Sequence, residues 1–244
     1  MQPLTCGLYS AQLATSPQDM AEVLALRHLC FRAGRGTSQP ASDADHLDAA
    51  CRHVLLRRGD QAVGGFRAQI FAKDQSLSDS YAAQFYDLTR FQRQTAPKIE
   101  LGRFCVHPDH SDPDILRLAW ASLTCLIDLA GADLLFGCTS FDGCDPTRHL
   151  AALAYLACHH LGPETVRPGQ GTARSIDLTR LPAPAAPPRL PPLLRSYLAM
   201  GGWVSDHAVL DPDLDTTHVF TALTIAAIPA PRARALRALA QSSG

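Results

Sequence analysis

Ile99-Glu100-Leu101-Gly102-Arg103-Phe104-Cys105-Val106 is the stretch whose reading decides the fold. Its β-branched and aromatic residues around one glycine read as a strand. A buried strand normally excludes Glu and Arg, and this one carries both. Strand side chains alternate faces, so Glu100 and Arg103 should point opposite ways. A bulge at Gly102 would add one residue and place both on one face. That arrangement offers a carboxylate to take a proton, a guanidinium to hold an anion, and strand amides to bind an acyl carbonyl. A structural ion pair in a core strand is the plainer alternative.

The whole chain of 244 residues has room for one large domain or two small ones. Charged residues are 18% and the net charge is −1, so no basic excess points to nucleic acid. Met1 to Met20 lacks a basic region followed by an apolar core, and no signal peptide is expected. The eight cysteines form no Cys-x-x-Cys pair and sit in apolar runs, which suits buried free thiols in a reducing cytoplasm. No apolar run approaches the length of a membrane span.

Before the anchor strand, Pro17 to Phe31 reads as a helix capped by Ser16, with Asp19 and Glu22 in its first turns. Thr37 to Asp48 reads as a polar loop. His53-Val54-Leu55-Leu56 and Gln61 to Arg67, continuing to Phe71, read as a hairpin around Arg58-Gly59-Asp60. Asp74 to Lys98 is mixed, with a short helix near Ser80 to Phe85. After the anchor strand come a helix from about Asp114 to Ala130, a buried strand from Asp133 to Ser140, and a helix from Pro146 to His160. The proline-rich segment 182–192 excludes helix and central strand and reads as a crossing segment. Trp203 to Leu210 and His218 to Ile225 read as strands, and a basic tail helix starts near residue 231. Helices between strands predict one α/β domain over 1–244, with a mixed central sheet flanked by helices.

A helix start directly after a strand is an anion site. A coenzyme A binder usually places a glycine-rich turn there. Here the turn is Asp109-His110-Ser111-Asp112-Pro113-Asp114, acidic and without glycine. This disfavours a nucleotide-tailed cofactor and tolerates a phosphopantetheine arm carried on a protein; an ordinary capped helix start explains the aspartates equally. Asp45 and Asp48 read as metal ligands, a basic-substrate site, or loop residues bonded to their own backbone. Cys158-His159-His160 points in too many directions for zinc. Cys105 lies inside an apolar strand, where a thiol is inert, so a Cys105–His107 nucleophilic pair is not expected.

Arg27 and Phe31 on the first helix, Asp45 and Asp48 in the loop, Arg67 on the hairpin, and Glu100 with Arg103 together resemble the pattern of the acyl-homoserine lactone synthases, relatives of the GNAT N-acyltransferases. A nearer resemblance lies in Glu100 to Pro108, Leu135 to Phe141, Leu190 to Leu198 and Asp211 to Phe220. These stretches look like the bacterial N-acyltransferases of aminolipid synthesis, from about Ala21 to Ile225. The resemblance implies a GNAT-like fold and acyl transfer from acyl carrier protein to the α-amine of ornithine or glutamine, making a lyso-aminolipid precursor. It implies Glu100 as general base, its pKa raised by partial burial, with Arg103, grouped with it as catalytic, and Arg67 orienting either the substrate carboxylate or Glu100 itself. Backbone amides near Gly102 and Arg103 would stabilise the oxyanion. Arg27, Phe31, Asp45, Asp48, Arg67, Gly102 and Phe104 would contact substrate. No metal and no resident cofactor are implied, since the acyl group arrives on phosphopantetheine.

Two departures shape the expectation. The ornithine enzymes carry acids after the Phe31 position, where this chain has Arg32-Ala33-Gly34-Arg35, so glutamine is expected ahead of ornithine. The tryptophan usual in lactone synthases is absent. A lactone synthase and a non-catalytic module that docks carrier protein or membrane remain the alternatives. Arg57, Arg58, Arg90, Arg93 and Lys98 are candidate contacts for an acidic carrier protein. The basic tail reads as a solvated terminal helix, with an anionic membrane or a carrier protein as its alternative partner, so the protein is expected in the cytoplasm, with peripheral contact to the inner membrane as the alternative.

Overall fold

The structure, a computed structural model, describes residues 1–33 and 42–241. Along the chain run β1 (Leu4–Cys6), β2 (Tyr9–Leu13), α1 (Pro17–Phe31), β3 (Cys51–Arg58), β4 (Gln61–Phe71), β5 (Tyr86–Asp87), α2 (Thr89–Gln92) and β6 (Lys98–Val106). Then follow α3 (Pro113–Ala130), β7 (Leu134–Asp142), α4 (Leu150–His159), β8 (Gly169–Gln170), β9 (Ser175–Asp177), α5 (Pro192–Ala199), β10 (Trp203–Asp211), β11 (Thr216–Thr224) and α6 (Ala230–Gln241). Packing divides the chain into two compact units: Met1–Ile70, Leu101–Ala132 and Pro229–Gly244 in the first, Phe71–Glu100 and Asp133–Ile228 in the second.

In the first unit the strand order is β1-β2-β3-β4-β6, with antiparallel pairing from β1 through β4. Helix α1 starts where expected. The Ser16 hydroxyl accepts from the Asp19 amide, and the Asp19 carboxylate accepts from the Ser16 amide. This reciprocal box satisfies two donors that a helix start otherwise leaves open. The β3–β4 hairpin turns at Gly59, whose φ of +56° suits a residue without Cβ. Asp112 caps α3, and Gly131 ends it in the left-handed conformation at φ +58°. The buried face of α3 (Ile115, Leu118, Ala119, Leu123) packs on β1, β2 and β3, which bring Leu4, Ala11, Val54 and Leu56 to the core.

In the second unit the order is β6-β7-β11-β10-β9, where Lys98–Glu100 pair in parallel with Leu134–Phe136 and the other pairs are antiparallel. Alternation along β11 sends Phe220 and Ala222 to one face and Val219 to the other. Two separate cores result. Phe220 packs with Phe71, Phe91 and Phe136, and Val219 packs with Leu153 and Leu156 of α4 and Leu194 of α5. Residues 182–191 are neither helix nor strand, as their prolines require. Pro192 opens α5, a helix the sequence reading did not assign.

Candidate active site

β6 begins in the second unit and ends in the first, so its two charged residues belong to different surroundings. Glu100 lies at its second-unit end and is 4% exposed. Its Oε2 accepts from the Tyr81 amide at 2.8 Å and its Oε1 from the Ala82 amide at 2.7 Å. Both donors open the single 3-10 turn Ala82–Gln84. The Tyr197 phenol on α5 is pushed up, first by burial and then by the charge of Glu100. Neither Tyr81 nor Tyr197 was named from sequence. Tyr81 precedes Glu100 by 19 positions on a non-local turn, and nothing local announces the contact.

In the first unit, Arg27, Arg32, Arg67 and Arg103 converge on Asp43, Asp45 and Asp48. Asp43 is fully buried, and it accepts from Nε of Arg27, Arg32 and Arg103, each at 2.9 Å. Arg67 Nη1 reaches Asp45 at 2.6 Å and Asp48 at 2.7 Å. Arg27 Nη1 donates to Asp48 at 2.7 Å, and Arg103 Nη2 to Asp45 at 3.3 Å. Burial opposes the charge of Asp48, but bonds from Arg27, the Asp45 amide and Arg67 outweigh it and bring the carboxyl down to about 2. Asp45 is likewise held below its ordinary range, with Arg67 overcoming the cost of burial. Burial keeps His53, whose Nε2 lies 3.1 Å from the Asp48 carbonyl, below the usual imidazole value. Asp43 was missed as a site residue, although it shares the loop with the two aspartates that were named.

The loop reading of Asp45 and Asp48 holds in this structure. Asp45 accepts from the Leu47 amide at 3.0 Å and Asp48 from the Asp45 amide at 3.0 Å. Both also brace arginines. The unusual backbone conformation falls one residue beyond the expected site: Arg103, not Gly102, is left-handed, with φ +50°. A branched, bulky residue adopts that conformation only when its surroundings over-determine it. Asp43, Asp45 and the ring of Phe31, 5.8 Å from the guanidinium carbon, supply that determination. Gly102 marks a close approach instead, since a Cβ there would stand 3.3 Å from Arg67 Nε. Phe104 stacks on Phe66 with ring centroids 6.3 Å apart.

Other expected features find plain partners. The α3 start is occupied by its own acids, with Asp112 accepting from the Asp114 amide at 2.9 Å and from the Tyr9 hydroxyl at 3.0 Å. Cys105 is buried and hydrogen-bonded to Cys30, and that bond, then burial, pushes its thiol up. All eight cysteines are free. Lys98 is no surface contact: it is buried, and its ammonium donates to the carbonyls of Gln94 and Ala96. Arg57 is tied to Glu22 at 2.6 Å and Asp19 at 3.3 Å. Arg58, Arg90 and Arg93 are exposed. Of the arginines after Phe31, Arg32 is paired with Asp43, and Arg35 lies outside the described residues. Among the described residues no group of three or more His, Cys, Asp or Glu is placed to hold a metal ion, and no helix is long and apolar enough to cross a membrane.

The sequence model of the acetyltransferase (GNAT) domain matches residues 26–121 of this mixed-sheet fold. The N-acyl amino acid synthase FeeM from uncultured soil microbes has the same fold, at a TM-score of 0.53 and 13% identity, over 96% of this chain and 97% of that one. The L-ornithine N(alpha)-acyltransferase of Rhodobacter capsulatus is 30% identical over 227 residues, 86% of this chain and 88% of that protein. The enzyme of the same name from Brucella abortus is 30% identical over 75% of this chain and 70% of its own length. The chain therefore belongs to the L-ornithine N(alpha)-acyltransferase family, a branch of the GNAT-type acyltransferases.

Proposed function

We propose that this enzyme transfers a (3-hydroxy)acyl chain from acyl carrier protein to the α-amine of ornithine, forming a lyso-aminolipid precursor. The observation that carries the reading is Glu100, a buried carboxylate that accepts hydrogen bonds from two main-chain amides. A free α-amine attacks a thioester only after losing a proton, and Glu100, directly or through one water, takes it. The C–N bond forms as the C–S bond breaks, and the thiolate of the phosphopantetheine arm leaves and is protonated. Amides near Gly102 and Arg103 face the developing oxyanion in this scheme. No step requires a metal or a covalent enzyme intermediate.

The carrier-protein donor is supported by the start of α3. A pyrophosphate placed there would meet the carboxylates of Asp112 and Asp114 rather than open amides. Ornithine is supported by the names of the relatives. The expectation of glutamine leaned on Arg32 and Arg35 repelling a substrate ammonium. Arg32 gives its charge to Asp43, which removes that part of the argument. The substrate roles expected of Arg27, Phe31, Arg67, Asp45 and Asp48 stay within this proposal.

One assay tests it. Purified protein, acyl-loaded carrier protein and equal ornithine and glutamine, read by mass spectrometry, should give N-acylornithine as the main product. N-acylglutamine overturns the acceptor alone. With S-adenosylmethionine added, a lactone product overturns the amino-acid acceptor in favour of a lactone synthase, and no product at all overturns the acyl-transfer reading.

A further inference from the structure

The two amides that hold Glu100 sit on a single short turn, whose Ala82 is buried in the core. Ala82–Gln84 is one turn of 3-10 helix, and its N-cap, Tyr81, makes no side-chain cap bond. Isolated turns of this length do not persist on their own hydrogen bonds. Ser80 contributes from below, donating to the Leu77 carbonyl at 2.7 Å and accepting from the Ala83 amide at 3.2 Å. The longer tie runs the other way. Tyr81 donates its phenol to Asp211 Oδ2 at 2.8 Å, across 130 positions of sequence. Asp211, at the end of β10, is 3% exposed. Its other oxygen accepts from the amides of Asp213 at 3.0 Å and Leu214 at 3.2 Å. That anchor is thus fixed by its own turn and presents one oxygen to Tyr81. The Phe85 ring, 5.1 Å from that of Tyr81, packs beside it.

We propose that Tyr81, anchored by Asp211, is a positioning residue for Glu100. Its backbone holds the carboxylate while its side chain fixes where that backbone lies. This gives a duty to Asp211, a residue of a stretch singled out in the sequence that the acyl-transfer scheme does not use. The inference rests on Glu100 being the base. A displacement well under an ångström at a reacting group is enough to slow a reaction about tenfold.

Tyr81→Phe is the test, because it keeps the ring and both amides and deletes only the hydroxyl. The expected result is a fall in kcat of about tenfold with KM for amino acid and carrier protein unchanged. The acid limb of the kcat–pH profile should move to higher pH, since loosened amides favour the ionised glutamate less. Asp211→Asn, which keeps the shape of the anchor and removes its charge, should move both readings in the same direction. In a Glu100→Gln background, Tyr81→Phe should cause no further loss. A lower melting temperature with wild-type kcat and pH profile overturns the positioning role, as does an equal loss in the Glu100→Gln background. A wild-type rate in Glu100→Gln itself overturns the base assignment, and that outcome is distinct from either.

Discussion

Three residues apart on β6, Glu100 and Arg103 are handled in opposite ways. Glu100 is buried against neutral main-chain donors from Tyr81 and Ala82. Arg103 is buried against the carboxylates of Asp43 and Asp45, in a network with three more arginines. Dipoles stabilise a carboxylate's charge without supplying a counter-charge. Counter-charges consume one another and fix geometry, at a desolvation cost that only full pairing offsets. On the proposed reading, the contrast separates a group that takes a proton from a group that holds a loop in place.

The largest effect should come from Glu100→Gln, which should lower turnover by about two to four orders of magnitude, the usual worth of a general base. It should also cost stability. The glutamine amide has one acceptor oxygen where two backbone N–H groups need one each, so one donor is left unmet, at about 1–3 kcal/mol. Initial rates by mass spectrometry and urea unfolding measure the two separately. A wild-type rate would make Glu100 a structural group like its neighbour and erase the contrast.

Next in size is Asp43→Asn, the matching change on the other side. It takes a shared acceptor from three buried arginines at once and should cost about 3–5 kcal/mol in urea unfolding. A loss below about 1 kcal/mol would mean the network does not depend on its central charge.

Acid sharpens the comparison further. Asp48 is held at about 2 against an ordinary 3.8, so its folded value is depressed. Its contribution to stability is therefore complete above the ordinary carboxylate range and is lost as pH falls from about 3.8 through about 2. Wild-type protein should lose stability steeply across that window. In Asp48→Asn the slope should flatten, because that proton uptake is gone. Unfolding free energies measured between pH 5 and pH 2 decide it, and parallel curves would remove Asp48 from the linkage.

Local chemistry carried most of the fold to the reader of the sequence. The Ser16 cap, the Gly59 turn, Pro113 opening α3 and the strand character of β10 and β11 are all short-range signals, and each lies where it was expected. What escaped is long-range. Tyr81 meets Glu100 across 19 positions and Asp211 across 130, and no periodicity announces such contacts. The displaced backbone break has the same origin. Glycine is the cheap place for an unusual conformation, so the reading chose Gly102. Two carboxylates and a ring hold Arg103 there instead. Lys98 was read as surface because lysine usually is, yet carbonyls of the preceding turn satisfy it inside.

The smallest effect belongs to α6, where an arginine–aspartate pair exists without burial. Arg237 meets Asp128 of α3 through two bonds, at 3.1 and 2.9 Å, with side chains 43% and 47% exposed. The pairing geometry rivals that of the buried network, and only the solvent differs. Water screens the attraction, and two long side chains lose freedom in making it, so such pairs contribute about 0–1 kcal/mol. Arg237→Ala should therefore change unfolding free energy by less than about 1 kcal/mol, and the difference should shrink further in high salt. The same variant tests the tail as a basic membrane-facing helix, since Arg237 spends its charge on α3 in this structure. Sedimentation with anionic vesicles should be unchanged by Arg237→Ala. A loss of vesicle binding would show that this guanidinium is available to a lipid surface. A cost of about 3 kcal/mol, as large as that expected for Asp43, would show that burial is not what separates the two kinds of arginine.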